Sequence, residues 1–273
     1  MKNCIRVLAL AAVGLILFSG TGCDKLKARD QLNKGVASYK NARYEEAIDH
    51  FQQAVNLDPK LLNARLYLAT ALANQFIPGV DTDDNTRVGQ QAVDEFKKVL
   101  ETNPGRDQKI TSLKGIASLY FNMKKLDMAK EYNHKVAEVD PTDPEAYYSI
   151  GVIDWTESYA PRMEERAKLG LKPEEPLKDK KVCAELKDKN WGNIMDGIDA
   201  LNKAMQLREE YDDAMAYMNL LFREKADLEC DDPAARAADL KTADEWVDKT
   251  MAAKKAKAEK QPGQQGITMD QPK

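Results

Sequence analysis

The sequence predicts an all-α protein, an array of about five helix pairs. Three observations carry that reading. Over 273 residues only 43 % are apolar and 7 % aromatic while 32 % are charged, too little apolar material for one thick core and suited to thin amphipathic helices stacked in series. Small and apolar residues recur at helical spacing through most of the chain. Pro59, Pro104, Pro141, Pro144 and Pro233 punctuate these stretches, and proline either stops a helix or occupies its first turn.

From the N-terminus, Lys2 and Arg6 precede residues 7–18, which carry no charge, then Ser19-Gly20-Thr21-Gly22 and Cys23. A bilayer-spanning helix needs roughly 20 apolar residues, so this run has the size of a signal-peptide hydrophobic region and is excluded from the fold. The segment resembles a bacterial lipoprotein signal, in which small residues precede a cysteine that is lipidated. The resemblance implies that residues 1–22 are removed and that Cys23 becomes the lipidated end of a short linker, residues 23–27. The protein would then be exported and anchored to a bacterial membrane, facing the periplasm. Gly20 stands where that signal usually carries Leu, which leaves cleavage without lipidation as the alternative. Asp24 resembles an inner-membrane retention mark whose rule differs between bacteria, so inner and outer membrane both stay open.

The clearest unit follows in Gly35, Tyr39, Tyr44, Ala47, Phe51, Ala54 and Pro59. It resembles a tetratricopeptide repeat, a 34-residue helix–turn–helix. In that repeat small residues at positions 8, 20 and 27 let two helices approach, large ones at 4, 7, 11, 17 and 24 fill the gap, and Pro at 32 ends the second helix. Residues 28–61 place Gly35, Ala47 and Ala54 at the small positions, Tyr44 and Phe51 at large ones and Pro59 at 32. Gln31, Lys34 and Ser38 depart from the pattern in the first helix. Residues 110–143 repeat it with Leu113, Ile116, Ala117, Tyr120, Leu126, Ala129, Val136 and Pro141.

Between them, residues 62–106 form a stretched repeat through Ala69, Ala92, Phe96, Val99 and Pro104, its extra residues falling around Pro78-Gly79 and 81–86. A fourth repeat, 144–211, joins a helix through Tyr147, Ile150 and Gly151 to one at 191–207 through Gly197, Leu201 and Ala204. Its insertion, 157–190, reads as one or two short charged helices over a groove mouth, or as a second docking surface. A fifth, 212–251, joins 212–228 to 234–251. From Ala252 the chain turns Lys/Ala/Gln/Pro/Gly-rich and reads as a disordered tail. For the stretched repeats an irregular helical bundle is the alternative. The resemblance implies a right-handed solenoid with insertions in the turns within repeats.

Chemistry is sparse. Forty-one Lys and Arg against 45 Asp and Glu give a net charge of −4, which excludes a general nucleic-acid surface. His50 and His134 fall on second helices away from the packing face. The chain has no H-E-x-x-H pair, phosphate loop, dinucleotide fingerprint or nucleophile elbow. No catalytic residue, cofactor or metal is expected, and the protein reads as a non-enzyme. Asp81, Asp83 and Asn85 take positions 1, 3 and 5 of a calcium loop, but Thr86 and Ala92 stand where its Gly and closing Glu belong. A solvated turn capping the next helix is the reading.

The tetratricopeptide resemblance implies a concave groove lined by positions 2, 5, 9, 12 and 13 of the first helices. Here these give Tyr39, Asn63, Asn74, Lys114, Phe121, Asn122, Tyr148, Trp155 and Arg223. Rings and amides of this kind suit an extended or helical peptide, although Tyr148 and Trp155 packing on the insertion is the competing reading. The Lys/Asn set with which some relatives clamp a C-terminal carboxylate does not recur in order. Cys183 and Cys230 are expected to form a disulfide, because an exported chain meets an oxidising compartment and neighbouring repeats present these turns along one edge. Two separate thiols are the alternative. The expected function is a membrane-anchored scaffold for an unidentified envelope protein or peptide. A structural or assembly lipoprotein of an outer-membrane or pilus machine is the second reading, which the charged second-helix residues Asp94, Glu95, Lys97 and Lys98 disfavour.

Overall fold

A computed structural model describes residues 23–172 and 175–260. The expected signal peptide and residues 261–273 lie outside the described residues. Among those described, the chain forms ten α-helices and no strand. They are α1 (23–40), α2 (Tyr44–Leu57), α3 (Leu62–Gln75), α4 (Asp83–Glu101), α5 (Arg106–Asn122), α6 (Leu126–Val139), α7 (Pro144–Lys168), α8 (Lys180–Leu207), α9 (Asp212–Asp227) and α10 (Pro233–Lys260). The chain divides into two units within α6, at Tyr132 and Asn133. None of the described helices is long and apolar enough to cross a membrane.

In the first unit α2 packs on α3, α3 on α4 and α4 on α5, and α3 also lies against α5. First helices of successive repeats therefore run side by side. The small residues make this approach work. A Cβ on Gly35 would stand 2.5 Å from the Phe51 ring, so glycine lets α1 close over a phenyl group that is 1 % exposed. Burying such a ring stabilises the pair by about 1.5–3 kcal/mol. Ala47, Ala54, Ala64, Ala69 and Ala92 are all fully buried. Residues 23–27, expected as a linker, are instead the first turn of α1; an ion pair from Lys27 to Asp24 and the buried Ala28 continue the helix to Cys23. His50, expected at the surface, is half-buried, with Nδ1 at 2.7 Å from Gln31 Oε1. The helix expected near Thr86 begins at Asp83, where the Thr82 hydroxyl accepts from the Asn85 N–H at 3.3 Å.

The α1–α2 and α5–α6 turns repeat one geometry. Ala42 (φ 58°) and Lys124 (φ 61°) take left-handed backbone, while the Arg43 N–H donates to the Ser38 carbonyl and the Lys125 N–H to that of Tyr120, both at 2.9 Å. These are helix-ending motifs that favour glycine. A non-glycine residue there costs about 1–2 kcal/mol, part of which glycine returns through its more mobile unfolded chain. Lys124 is exposed, so Lys124→Gly is expected to raise stability by about 0.5–1 kcal/mol. Urea denaturation followed by far-ultraviolet circular dichroism checks this, and a lowered midpoint refutes it.

In the second unit α7 packs on α8 and on α9, α8 on α9, and α9 on α10. A Cβ on Gly151 would meet the Leu201 side chain at 2.5 Å, so the fourth pair closes as the first does. The insertion departs from expectation. α7 has 25 residues and α8 has 28, against 14 in α2, so residues 157–168 and 180–190 lengthen one hairpin rather than form separate short helices. Pro161 lies inside α7 and removes one helical hydrogen bond. The helix continues past it because its next turns are held. Arg162 donates to Glu224 through Nε, and through Nη2 at 2.8 Å, while its Nη1 reaches Asp227 at 2.6 Å. Arg166 adds a bond to Asp227 at 2.9 Å and donates from Nη2 to the carbonyls of Lys172 and, at 2.9 Å, Glu175.

Cys183 and Cys230 are joined in a disulfide with Cα atoms 5.7 Å apart. The bond ties the first turn of α8 to the α9–α10 connection. Around it Leu177, Leu186, Ile194, Met218 and Leu221 form the buried core. The tail also starts later than expected, since α10 runs on to Lys260. Lys257 Nζ reaches Asp212 at 3.1 Å and Lys260 Nζ reaches Glu210 at 2.7 Å. Cations that composition assigns to a tail are thus matched to acids where α9 begins.

Candidate partner-binding faces

The expected groove residues fall in both units. In the first, α1, α3 and α5 present them. Asn74, at the end of α3, donates from Nδ2 to the Tyr39 hydroxyl of α1, and the Tyr39 ring meets Tyr44 edge-on at 5.4 Å. Gln108 on α5 donates to Asn63 Oδ1 on α3 at 2.8 Å. A cavity of about 280 Å³ lies between these helices, walled by Thr70, Asn74, Phe76, Pro78, Ser118 and Asn122 among others. Its walls are mainly apolar, and Thr70, Asn74, Ser118 and Asn122 add hydroxyl and amide groups that both donate and accept, as a peptide backbone requires. Lys114 is exposed, whereas Phe121 is half-buried and does not wall the cavity.

In the second unit α7 and α9 carry an aromatic ladder. Tyr148 lies 5.2 Å from the Tyr211 ring and 5.7 Å from Tyr217, and Trp155 lies 5.4 Å from Tyr217 and 4.9 Å from Tyr159. Such contacts fix ring positions before anything binds. Burial first, then the neighbouring Tyr217, Asp213 and Glu145, pushes the Tyr148 phenol up to about 12. Burial also raises Tyr211, whose hydroxyl donates to Glu145 Oε2 at 2.8 Å. The phenols therefore stay neutral donors at ordinary pH. The Trp155 indole N–H is buried beside Glu224 without a hydrogen bond of ordinary geometry.

Arg223 is turned elsewhere. It donates to Asn219 Oδ1 at 2.9 Å and to Asp244 Oδ1 on α10 at 2.7 Å, so its guanidinium serves the α9–α10 pair. Tyr148 and Trp155 lean on Tyr217 of the next repeat. Sequence reasoning passed over Tyr217, although it follows a groove position in the fifth repeat. It also missed the buried Arg162, Arg166, Glu224 and Asp227, whose three- and four-residue spacings put each pair on one helix face. Burial raises Glu224 against the pull of Arg162. Burial works to lower Arg162, and the two carboxylates outweigh it and hold it above its ordinary value. Among the described residues no group of three His, Cys, Asp or Glu side chains gathers as metal ligands.

Residues 28–61 and 115–143 match family models described as Tetratricopeptide repeat. A peroxisomal targeting signal receptor of Saccharomyces cerevisiae is 23 % identical over 203 residues, covering 71 % of this chain and 32 % of the receptor. The chain thus spans about a third of that relative's length. Among solved structures, a MamA protein aligns with TM-score 0.58 at 12 % identity, over 89 % of this chain and 98 % of its own. MamA from Desulfovibrio magneticus RS-1 gives 0.56 at 19 %, over 84 % and 96 %. YrrB, described as a TPR protein with an unusual peptide-binding site, gives 0.50 at 14 %, over 83 % and 90 %. The chain carries tetratricopeptide repeats, and its described helices have the all-α fold of solved tetratricopeptide-repeat structures such as YrrB.

Proposed function

We propose that the protein is a non-enzymatic scaffold, lipid-anchored through Cys23 in a bacterial cell envelope, whose first-helix faces hold a peptide or helix of another envelope protein. The ladder of Tyr148, Trp155 and Tyr217 carries the reading. These rings come from two successive repeats and are ordered by one another, so they offer contact area at low entropic cost, as interface aromatics do. The peptide-binding site named for YrrB supports the same use of the fold. For the anchor, the support is the signal-like run before Cys23 and the exposed, free thiol at that position.

One crosslinking experiment in intact cells, read by fractionation and mass spectrometry, tests both halves. The wild type is expected in the membrane fraction with a protein partner. Trp155→Ala should keep the fraction but weaken the partner by more than about 1 kcal/mol, and Cys23→Ser should leave the membrane. Undiminished partner recovery with a folded Trp155→Ala protein refutes the face, and unchanged fractionation of Cys23→Ser refutes the anchor.

A further inference from the structure

The α3–α4 connection holds apolar side chains that the repeat fold does not use. Ile77 is 58 % exposed and Val80 42 %, on a segment whose shape is fixed. The Val80 N–H donates to the Ile77 carbonyl at 3.3 Å across Pro78 and Gly79, with Gly79 at φ +80°, which is a type II turn with proline and glycine in their preferred places. The Asn85 side chain closes it from below. Its Oδ1 accepts from the Ile77 N–H at 2.8 Å, and its Nδ2 donates to the carbonyls of Ile77 at 2.9 Å and Val80 at 2.7 Å. A turn held this way loses little freedom on binding.

We propose that this turn is a docking element for a protein segment in which apolar side chains are flanked by Lys or Arg. The charges around the turn choose that partner. Asp81 follows Val80 directly and Asp83 opens α4; both are exposed, with no cation at ion-pair distance among the described residues, while Asp84 is held by Arg87 at 2.7 Å. Carboxylates beside an apolar tip attract a cationic partner and are repelled by an anionic lipid surface. The same segment contributes Phe76 and Pro78 to the cavity between α3 and α5. Ile77 and Val80 therefore stand in the same short connection as two walls of that cavity. This turn belongs to the first unit and the Tyr148–Trp155–Tyr217 ladder to the second.

Phage-displayed random peptides selected on the full chain, then measured as synthetic peptides by fluorescence anisotropy, test the proposal. Selected sequences should join aliphatic or aromatic residues to adjacent Lys or Arg. Ile77→Ser/Val80→Ser should weaken them about tenfold or more, and Asp81→Asn/Asp83→Asn should weaken them and flatten the salt dependence. Circular dichroism of these variants should be unchanged, since the replaced side chains are exposed. Failure to enrich basic–apolar sequences overturns the proposal. So do peptides that ignore Ile77→Ser/Val80→Ser, and those lost only on Trp155→Ala would leave the aromatic face standing alone. Binding to phosphatidylcholine–phosphatidylglycerol vesicles that the Ile77→Ser/Val80→Ser variant abolishes would assign the turn to lipid and equally overturn it.

Discussion

Arg162→Ala is expected to lower the stability of the second unit by about 3–5 kcal/mol, the usual cost of breaking a buried ion pair from one side. Glu224 is 2 % exposed and Asp227 7 %, and the Arg162 guanidinium serves both. Its removal leaves Glu224 charged and buried without its bidentate partner. Arg166 still holds Asp227, so the damage centres on Glu224. Two controls separate this from loss of packing. Arg162→Met/Glu224→Met should recover most of the stability, because an apolar pair of similar volume replaces an ion pair at little net cost. The deficit of Arg162→Ala should also depend on pH. Burial is the leading cause that raises Glu224, and Arg162 supplies the largest pull against it, so removing Arg162 lets the value rise further. A carboxyl raised in the fold contributes stability that is present below its unfolded value, about pH 4, and lost as pH rises through its folded value. The deficit should therefore be smallest near pH 4 and largest near pH 8. All three tryptophans, Trp155, Trp191 and Trp246, lie in the second unit, so urea denaturation followed by their fluorescence reports this unit. A deficit below about 1 kcal/mol at pH 8 would show that water or chain relaxation already compensates the site.

The repeat pattern was legible because it encodes steric distance. Gly35 opposite Phe51 and Gly151 opposite Leu201 are places where any side chain would collide, and small residues at a fixed period announce that in sequence. Ser38, which looked like a defect at a large-residue position, is buried at 2 % exposure where α1 ends, its carbonyl taking the N–H groups of Asn41 and Arg43. The insertion was misread for a different reason. Charges at 157–190 resemble a solvated surface until their partners are known, and the partners of Arg162 lie 62 and 65 residues away. Local spacing shows that two arginines share a helix face; it does not show what faces them. Lys257 and Lys260 misled in the same way, since their acids lie at the start of α9. For the candidate faces, position in the repeat names Asn74 and Tyr148, which the fold sets against Tyr39 and Tyr211, but not the orientation of Arg223, which its ion pair with Asp244 decides.

Losing the Cys183–Cys230 bond is expected to cost about 4 kcal/mol, the entropy gained by an unfolded chain when a loop of this size is opened. The sequence separation is 47 residues, long enough that most of the effect falls on the unfolded state. The folded site should change little, because Cys183 is fully buried in the core beside Leu186 and its backbone N–H is already held by the Asp179 carbonyl at 2.9 Å. Cys183→Ala/Cys230→Ala removes the bond without burying a new polar group. Its urea midpoint by tryptophan fluorescence should fall, and adding reductant should not lower it further. The wild type in reductant should fall to a similar point. The local consequence is at the hairpin tip, where the bond and the two carbonyls bound by Arg166 are among the covalent and polar restraints on the stretch before α8. Amide exchange should therefore accelerate first at the start of α8 and in the α9–α10 connection. Labelling of both thiols in the unreduced native protein would show that the bond is absent in solution. An unchanged midpoint in the double variant would show that the ion cluster and the apolar core hold the extended hairpin to α9 without the bond.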